Sequence, residues 1–109
     1  MVFILVNVMC VTCKKDKQND LPECLKIKIE QIKSQKKWNP PAQIHEYIYN
    51  GRTVYLISAD CCDQYDTLVD SNCQYICAPG GGIANMGDGK CTDFYKMAKY
   101  VRVVWKDER

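Results

Sequence analysis

Cysteine is the residue type that most restricts the chemistry open to this chain. Eight occur among 109 residues, at positions 10, 13, 24, 61, 62, 73, 77 and 91. A cysteine can carry a lipid, bind zinc, exchange electrons or close a disulfide, and spacing and compartment separate these uses. Cys61, Cys62, Cys73 and Cys77 match zinc in ligand count, but no two of them form a C-x-x-C pair. The same spacing argues against a thioredoxin-like redox site among them.

The first thirteen residues, MVFILVNVMCVTC, carry no charge. The apolar run over residues 2–11 has the length of a signal-peptide h-region and is too short to span a bilayer. The basic start of such a peptide is missing. After Cys13 the chain turns abruptly to Lys-Lys-Asp-Lys-Gln-Asn-Asp. An apolar run that ends at a cysteine and passes into a charged tether resembles a bacterial lipoprotein, in which that cysteine is acylated. Thr12 precedes the cysteine, and Cys10 stands three before it in place of Leu. Cys10 is the alternative anchor; the charge boundary favours Cys13 as the lipidation site. The expected division is a lipoprotein signal peptide over 1–12, a lipid-anchored tether over 13–20 and one domain over 21–109. A buried N-terminal strand over residues 2–11 is the plainer alternative.

Setting Cys10 and Cys13 aside leaves Cys24, Cys61, Cys62, Cys73, Cys77 and Cys91, an even number that suits three disulfides in an oxidising compartment. Six cysteines allow 15 pairings. A ring between the neighbours Cys61 and Cys62 is strained, and setting aside the three pairings that contain it leaves about twelve. Cys77 with Cys91 is the best single expectation, because it closes the Gly-rich segment. Cys24 is then expected with one of the vicinal pair and Cys73 with the other.

The remaining candidate chemistry is weaker. Gly82-Ile-Ala-Asn-Met-Gly87 has the first spacing of a phosphate-binding loop, but Asp88 stands where the lysine belongs. Gly89-Lys90 has the Gly-Lys pair but follows Ala84 and precedes Cys91, so nucleotide binding is rejected. Asn85, Asp88 and Asp93, or Asp60, Asp63, Asp66 and Asp70, offer oxygens for calcium without EF-hand spacing; Asp is also a common turn residue. The one histidine, His45, falls on a strand between aromatics with no nucleophile signature near it. No enzyme, metal or cofactor is expected. Contact surface is what remains. Tyr47, Tyr49, Tyr55, Tyr65, Tyr75, Trp38 and Trp105 are suited to protein or sugar contacts. The stapled loop over 79–90 is a candidate binding segment through Pro79, Gly80, Gly81, Gly82, Asn85, Met86, Asp88 and Lys90. A rigid loop of this kind would also serve a secreted protease inhibitor.

These residues need elements to position them. Asp20-Leu-Pro-Glu23 reads as a helix start with Asp20 as N-cap. Residues 24–37 place Leu25, Ile29 and Ile32 on one face, and Asn39-Pro40-Pro41 ends the helix. Asn50-Gly51 between two β-rich runs predicts a hairpin, with Tyr49 opposite Arg52, Tyr47 opposite Val54 and His45 opposite Leu56. One hairpin face carries His45, Tyr47, Tyr49, Val54 and Leu56. The other carries Ile44, Glu46, Ile48, Thr53, Tyr55 and Ile57, so both faces are apolar-rich. Residues 60–73 read as acidic and turn-like, with one helical turn around 65–69. A short strand over 74–78, a loop over 79–91, a short helix over 92–99 and a closing strand over 100–106 complete the chain. The expected fold is α+β, one N-terminal helix packed on a small antiparallel sheet of about four strands, with disulfide-stapled loops.

Charge is segregated along the chain. Residues 14–37 hold eight Lys against four acids, 38–95 hold two basic residues against seven acids, and 96–109 hold five against two. The net charge of +2 does not point to nucleic acid. A basic helix beside a lipid anchor can lie near anionic headgroups, although a solvated helix face has the same composition.

Trp38-Asn-Pro-Pro-Ala, Asp60-Cys-Cys-Asp-Gln64, Ile76-Cys77-Ala-Pro-Gly-Gly-Gly82 and Gly87-Asp-Gly-Lys-Cys91 are the distinctive segments. Over about residues 24–109 they are similar to a small Cys-rich domain of unknown function found in secreted lipoproteins of Bacteroidetes-type bacteria. The resemblance implies export and disulfides and carries over no catalytic residue. The expectation is a cell-envelope lipoprotein, anchored at the outer membrane or on a periplasmic face. It would act as a non-enzymatic binding or structural module, its partners the membrane and a protein or glycan.

Overall fold

The structure, a computed structural model, describes residues 21–109. The expected signal peptide over 1–12, the expected lipidation site Cys13 with its tether and the expected cap Asp20 lie outside the described residues. Seven elements follow: α1 (Glu23–Lys33), β1 (Gln43–Tyr49), β2 (Arg52–Ile57), β3 (Tyr65–Val69), β4 (Tyr75–Gly81), α2 (Phe94–Met97) and β5 (Lys99–Lys106). The strands form one antiparallel sheet in the order β4-β3-β2-β1-β5. The α+β expectation therefore holds, with the sheet one strand wider.

The hairpin has the register that its turn dictates. Asn50 and Gly51 both take positive φ, 54° and 77°, the backbone of a two-residue turn whose twist matches the strands. Tyr49 pairs with Arg52, Tyr47 with Val54 and His45 with Leu56. The extra strand is β3. Tyr65 to Val69 were expected as a helical turn, and the structure corrects this: Tyr55, Leu56 and Ile57 pair with Val69, Leu68 and Thr67. Tyr65 and Val69 lie four apart, which suits one helical face and one strand face equally. The partner strand decides between them.

Both faces of the sheet are covered. On one, Leu25 and Ile29 of α1 pack with Leu21 on Ile44, Tyr55, Ile57, Val69 and Val104. On the other, Tyr49, Val54, Leu56 and Leu68 enclose Cys77, Cys91 and Phe94. Strand order explains the second cover. β4 and β5 are opposite edges, so the chain between them must cross a face, and it lays Phe94 into the aromatic cluster. The Phe94 ring lies 4.8 Å from Tyr47, 5.2 Å from Tyr49 and 5.0 Å from Tyr95.

α1 is shorter at its C-terminal end than its pattern predicts. It stops at Lys33, where the last turn tightens as Ser34 N and Gln35 N bond back to Gln31 O and Ile32 O. Arg109 Nη1 then caps the open end, donating to Lys33 O at 3.0 Å and to Gln35 O, just beyond the helix, at 3.1 Å. Buried Asp107 holds the guanidinium through Arg109 Nη2 at 2.8 Å. At the other end Pro22 is the N-cap, with no side-chain cap bond. The edge strands are blunted. β5 carries two register shifts against β1, and β4 contains Pro79, which offers no N–H to a further strand. Among the described residues no helix is long and apolar enough to cross a membrane.

Candidate functional site

All six cysteines of the domain are paired: Cys24–Cys73, Cys61–Cys62 and Cys77–Cys91. Cys77–Cys91 is as expected. The other two correct the expectation, and the geometry gives the reason. Leu25 and Val69 share one core, which carries Cys24 to the turn after β3, where Cys73 lies with a Cα–Cα distance of 6.1 Å. Cys61 and Cys62 precede the opposite end of β3, about 13 Å away at ~3.3 Å per strand residue, beyond disulfide reach of Cys24. They close on each other across 3.7 Å between Cα atoms, with Cys62 at φ 50°.

The same packing leaves a groove of about 560 Å³ beside α1. Its floor is the alternation Tyr65, Thr67, Val69 along β3, with Ile57 of β2. Its helical wall is Cys24, Ile27, Lys28 and Gln31, spaced i, i+3, i+4, i+7 on one face. Tyr75 forms the opposite wall. Trp38, Asp60 and Gln64 stand toward one end and Cys73 toward the other. Tyr65 and Tyr75 are 48% and 51% exposed, beside the buried Ile57 and Val69. Trp38 is half-buried, and its Nε1 donates to Gln35 Oε1 at 2.9 Å, which satisfies the polar end of the indole.

The candidate loop over 79–90 is not one loop. Pro79, Gly80 and Gly81 belong to β4, a correction that follows from the pairing of Tyr65 with Gly81 and Asp66 with Gly80. The rest folds back and braces the groove. A Cβ on Gly82 would lie 2.5 Å from Tyr65 Cε1, so only glycine lets the turn pack on that ring. The Tyr75 hydroxyl donates to the Asp88 carboxylate. That bond pushes the Tyr75 phenol up to about 12, and it holds the Asp88 carboxyl below the usual carboxylate range. Lys90 Nζ lies 5.8 Å from the centre of the Tyr75 ring. Asn85 accepts from Gly81 N at 3.2 Å. The tip projects furthest into solvent: Ile83 is 89% and Met86 74% exposed. The polar members of the loop are thus occupied inside the molecule, and the loop positions the aromatics of its neighbour.

A smaller cleft of about 320 Å³ on the opposite face contains His45, Tyr47, Tyr95, Tyr100 and Asp66. His45 Nδ1 is 3.1 Å from the Tyr100 hydroxyl, and Nε2 is 2.8 Å from Gln43 Oε1. Both ring nitrogens are engaged, and burial followed by the Lys106 charge keeps the imidazole below its ordinary pKa. His45 is a neutral, hydrogen-bonded strand residue at pH 7. The acidic residues considered for calcium serve separate local bonds: Asp93 accepts from Tyr49 at 2.6 Å, Asp66 from Ala59 N at 2.9 Å, and Asp70 from Asn72 N at 2.8 Å. Among the described residues no three His, Cys, Asp or Glu side chains form a metal-sized group.

The sequence-selected aromatics divide between two fates. Tyr65, Tyr75 and Trp38 meet at the groove. Tyr47 and Tyr49 surround Phe94, while Tyr55 and Trp105 pack under α1. Lys28 and Gln31 were missed; their helical spacing to Cys24 signals a shared wall, and it points nowhere without β3, while Gln64 reaches the groove only through the turn before β3. A family model described as a domain of unknown function (DUF6970) matches residues 30–107. No curated protein and no solved structure matches the chain.

Proposed function

The chain belongs to the family described as a domain of unknown function, DUF6970, and on that premise we propose that it is a non-enzymatic binding module of the bacterial cell envelope. A lipid on Cys13 would hold it at the membrane, and the groove between α1 and β3 would take its ligand. The observation that carries this reading is the groove itself: about 560 Å³, three aromatic rings and several hydrogen-bonding side chains, braced by a stapled loop. Binding sites have this character, apolar area with a few placed polar groups. The engagement of both His45 nitrogens away from the groove supports binding over catalysis. Three disulfides support an oxidising compartment. The uncharged run that ends at Cys13 supports a lipid anchor.

Trp38 is a built-in reporter of the groove. In a Trp105→Phe variant it is the sole tryptophan, since the chain has two. Its emission is followed while two soluble panels are added, neutral oligosaccharides and short peptides. A saturable shift with either panel, lost in Tyr65→Ala, is the expected result. No shift with both panels overturns the groove as a binding site. The anchor is tested by intact mass of the protein from the envelope fraction. A diacyl or triacyl adduct on Cys13 is expected, with six thiols appearing only on reduction, and an unprocessed chain with free thiols overturns the location. Stoichiometric inhibition of a protease, abolished by cutting the loop, would transfer the function to the Ile83–Met86 tip.

A further inference from the structure

We infer that the ligand of this groove is a neutral saccharide, stacked on its aromatic side and hydrogen-bonded by its amides; the inference rests on the groove being the binding site. The argument is one of matching surfaces. A pyranose ring has an apolar C–H face and a rim of hydroxyls, each able to donate and to accept. Tyr65, Tyr75 and Trp38 supply flat apolar area at low conformational cost. Gln31 and Gln64 each carry two donors and an acceptor on one amide. Among the described residues their side chains, and the Asp60 carboxylate, make no hydrogen bond, and all three line the groove.

Other ligand classes fit less well. An acyl chain or an apolar peptide would cover these polar groups without pairing them, at a cost for each. A phosphorylated or carboxylated ligand would meet Asp60 at the end of the groove; Lys28 balances that charge and gives no surplus of positive charge. An extended peptide would seek a free sheet edge for its main chain, and the edge beside the groove, β4, is interrupted by Pro79. The rings are also fixed before a ligand arrives. Gly82 packs on Tyr65 and Asp88 holds the Tyr75 hydroxyl, which reduces the ordering cost of binding.

The test uses the folded domain, with its disulfides intact, against immobilised and soluble neutral oligosaccharides: hexose oligomers such as cellohexaose and maltohexaose, and the tetramer of N-acetylglucosamine. Binding to at least one is expected. Gln31→Ala, on the exposed side of α1 and unable to unfold the protein, should weaken it roughly tenfold, about the loss of one well-placed contact. Tyr65→Ala should do the same or more, and Met86→Ala at the loop tip should leave it unchanged. If peptides move Trp38 emission while no oligosaccharide does, the saccharide inference falls and the groove stands. If neither does, both fall. Loss from Met86→Ala with none from Gln31→Ala would place the sugar on the loop tip and overturn the assignment to the groove.

Discussion

The two faces of the sheet are covered in different ways. On one face an 11-residue helix sits on a mainly aliphatic layer: Leu25 and Ile29 against Ile44, Ile57, Val69 and Val104, with Tyr55 and Trp105 among them. On the other an irregular chain with a single helical turn sits on aromatics around Phe94. A helix satisfies its own backbone, so side-chain burial alone can hold it. Irregular chain cannot, and it is pinned bond by bond: Asp88 N to Ala78 O at 2.9 Å, Gly87 N to Gly81 O at 3.1 Å, Tyr49 to Asp93 at 2.6 Å. Close approach is part of the same device, since a Cβ on Gly87 would lie 2.1 Å from Ala78 O. The consequence is functional. A rigid cylinder on a twisted sheet leaves a groove along one side, whereas irregular chain moulds itself to the surface. The loop, read from sequence as the binding element, braces the groove from the sheet edge; the helix, read as scaffold, creates it.

The largest test of this contrast is removal of a core residue from each side. Phe94 and Leu25 are both fully buried. Phe94→Ala should cost about 3–5 kcal/mol and Leu25→Ala about 2–5 kcal/mol in urea unfolding. If the Phe94 change cost less than about 1 kcal/mol, the aromatic side would be a surface patch and the comparison would fail.

Next come the two long-range staples. Cys24–Cys73 spans a sequence separation of 49 and Cys77–Cys91 one of 14. Loop-closure entropy then predicts losses of about 4 and about 3 kcal/mol for the paired alanine variants. The buried Cys77 and Cys91 add a packing loss that the half-buried Cys24 and Cys73 do not. The two variants are therefore expected to destabilise almost equally, and only loss of Cys24–Cys73 should alter Trp38 emission, because only that bridge borders the groove. Replacing both Cys61 and Cys62 with alanine releases a separation of 1 and should cost about 1 kcal/mol or less. A loss of several kcal/mol there would mean that the 60–64 turn is a folding element rather than a rim of the groove.

The smallest effect is in proton binding at the point where the two regions meet. Absorbance titration should place the Tyr75 phenol near 12, with Asp88→Asn returning it toward the ordinary 10. The phenol of the folded state holds its proton above the unfolded pKa. Its contribution to stability is therefore fully present below pH 10 and lost as pH rises from 10 toward about 12. A Tyr75 that titrates normally in the intact protein would detach the loop from the groove.

Much of the local structure was legible in the chain. Asn50-Gly51 leaves one hairpin register, because a two-residue turn with positive φ at both positions allows no other. Leu25, Ile29 and Ile32 specify one buried helix face by spacing alone. Cys77 and Cys91 are close enough in sequence to be matched by the Gly-rich segment between them. These features depend on contacts within a few residues or across one turn.

What failed to show depends on partners outside the segment itself. The strand identity of β3 depends on β2 and β4, since Tyr65 and Val69 fit either period. The cap on the helix end at Lys33 comes from Arg109, 76 residues later. Cys24 finds Cys73, and Cys61 is left to Cys62, only once α1 has docked on Val69. The groove was invisible for the same reason: Gln31, Thr67 and Tyr75 share no local pattern and become neighbours by packing. Sequence alone determined which residues form turns, helix face and hairpin, because backbone and solvent preferences act over a few residues. Only the tertiary structure decided which surfaces meet, because burial is a property of pairs of elements and not of either one.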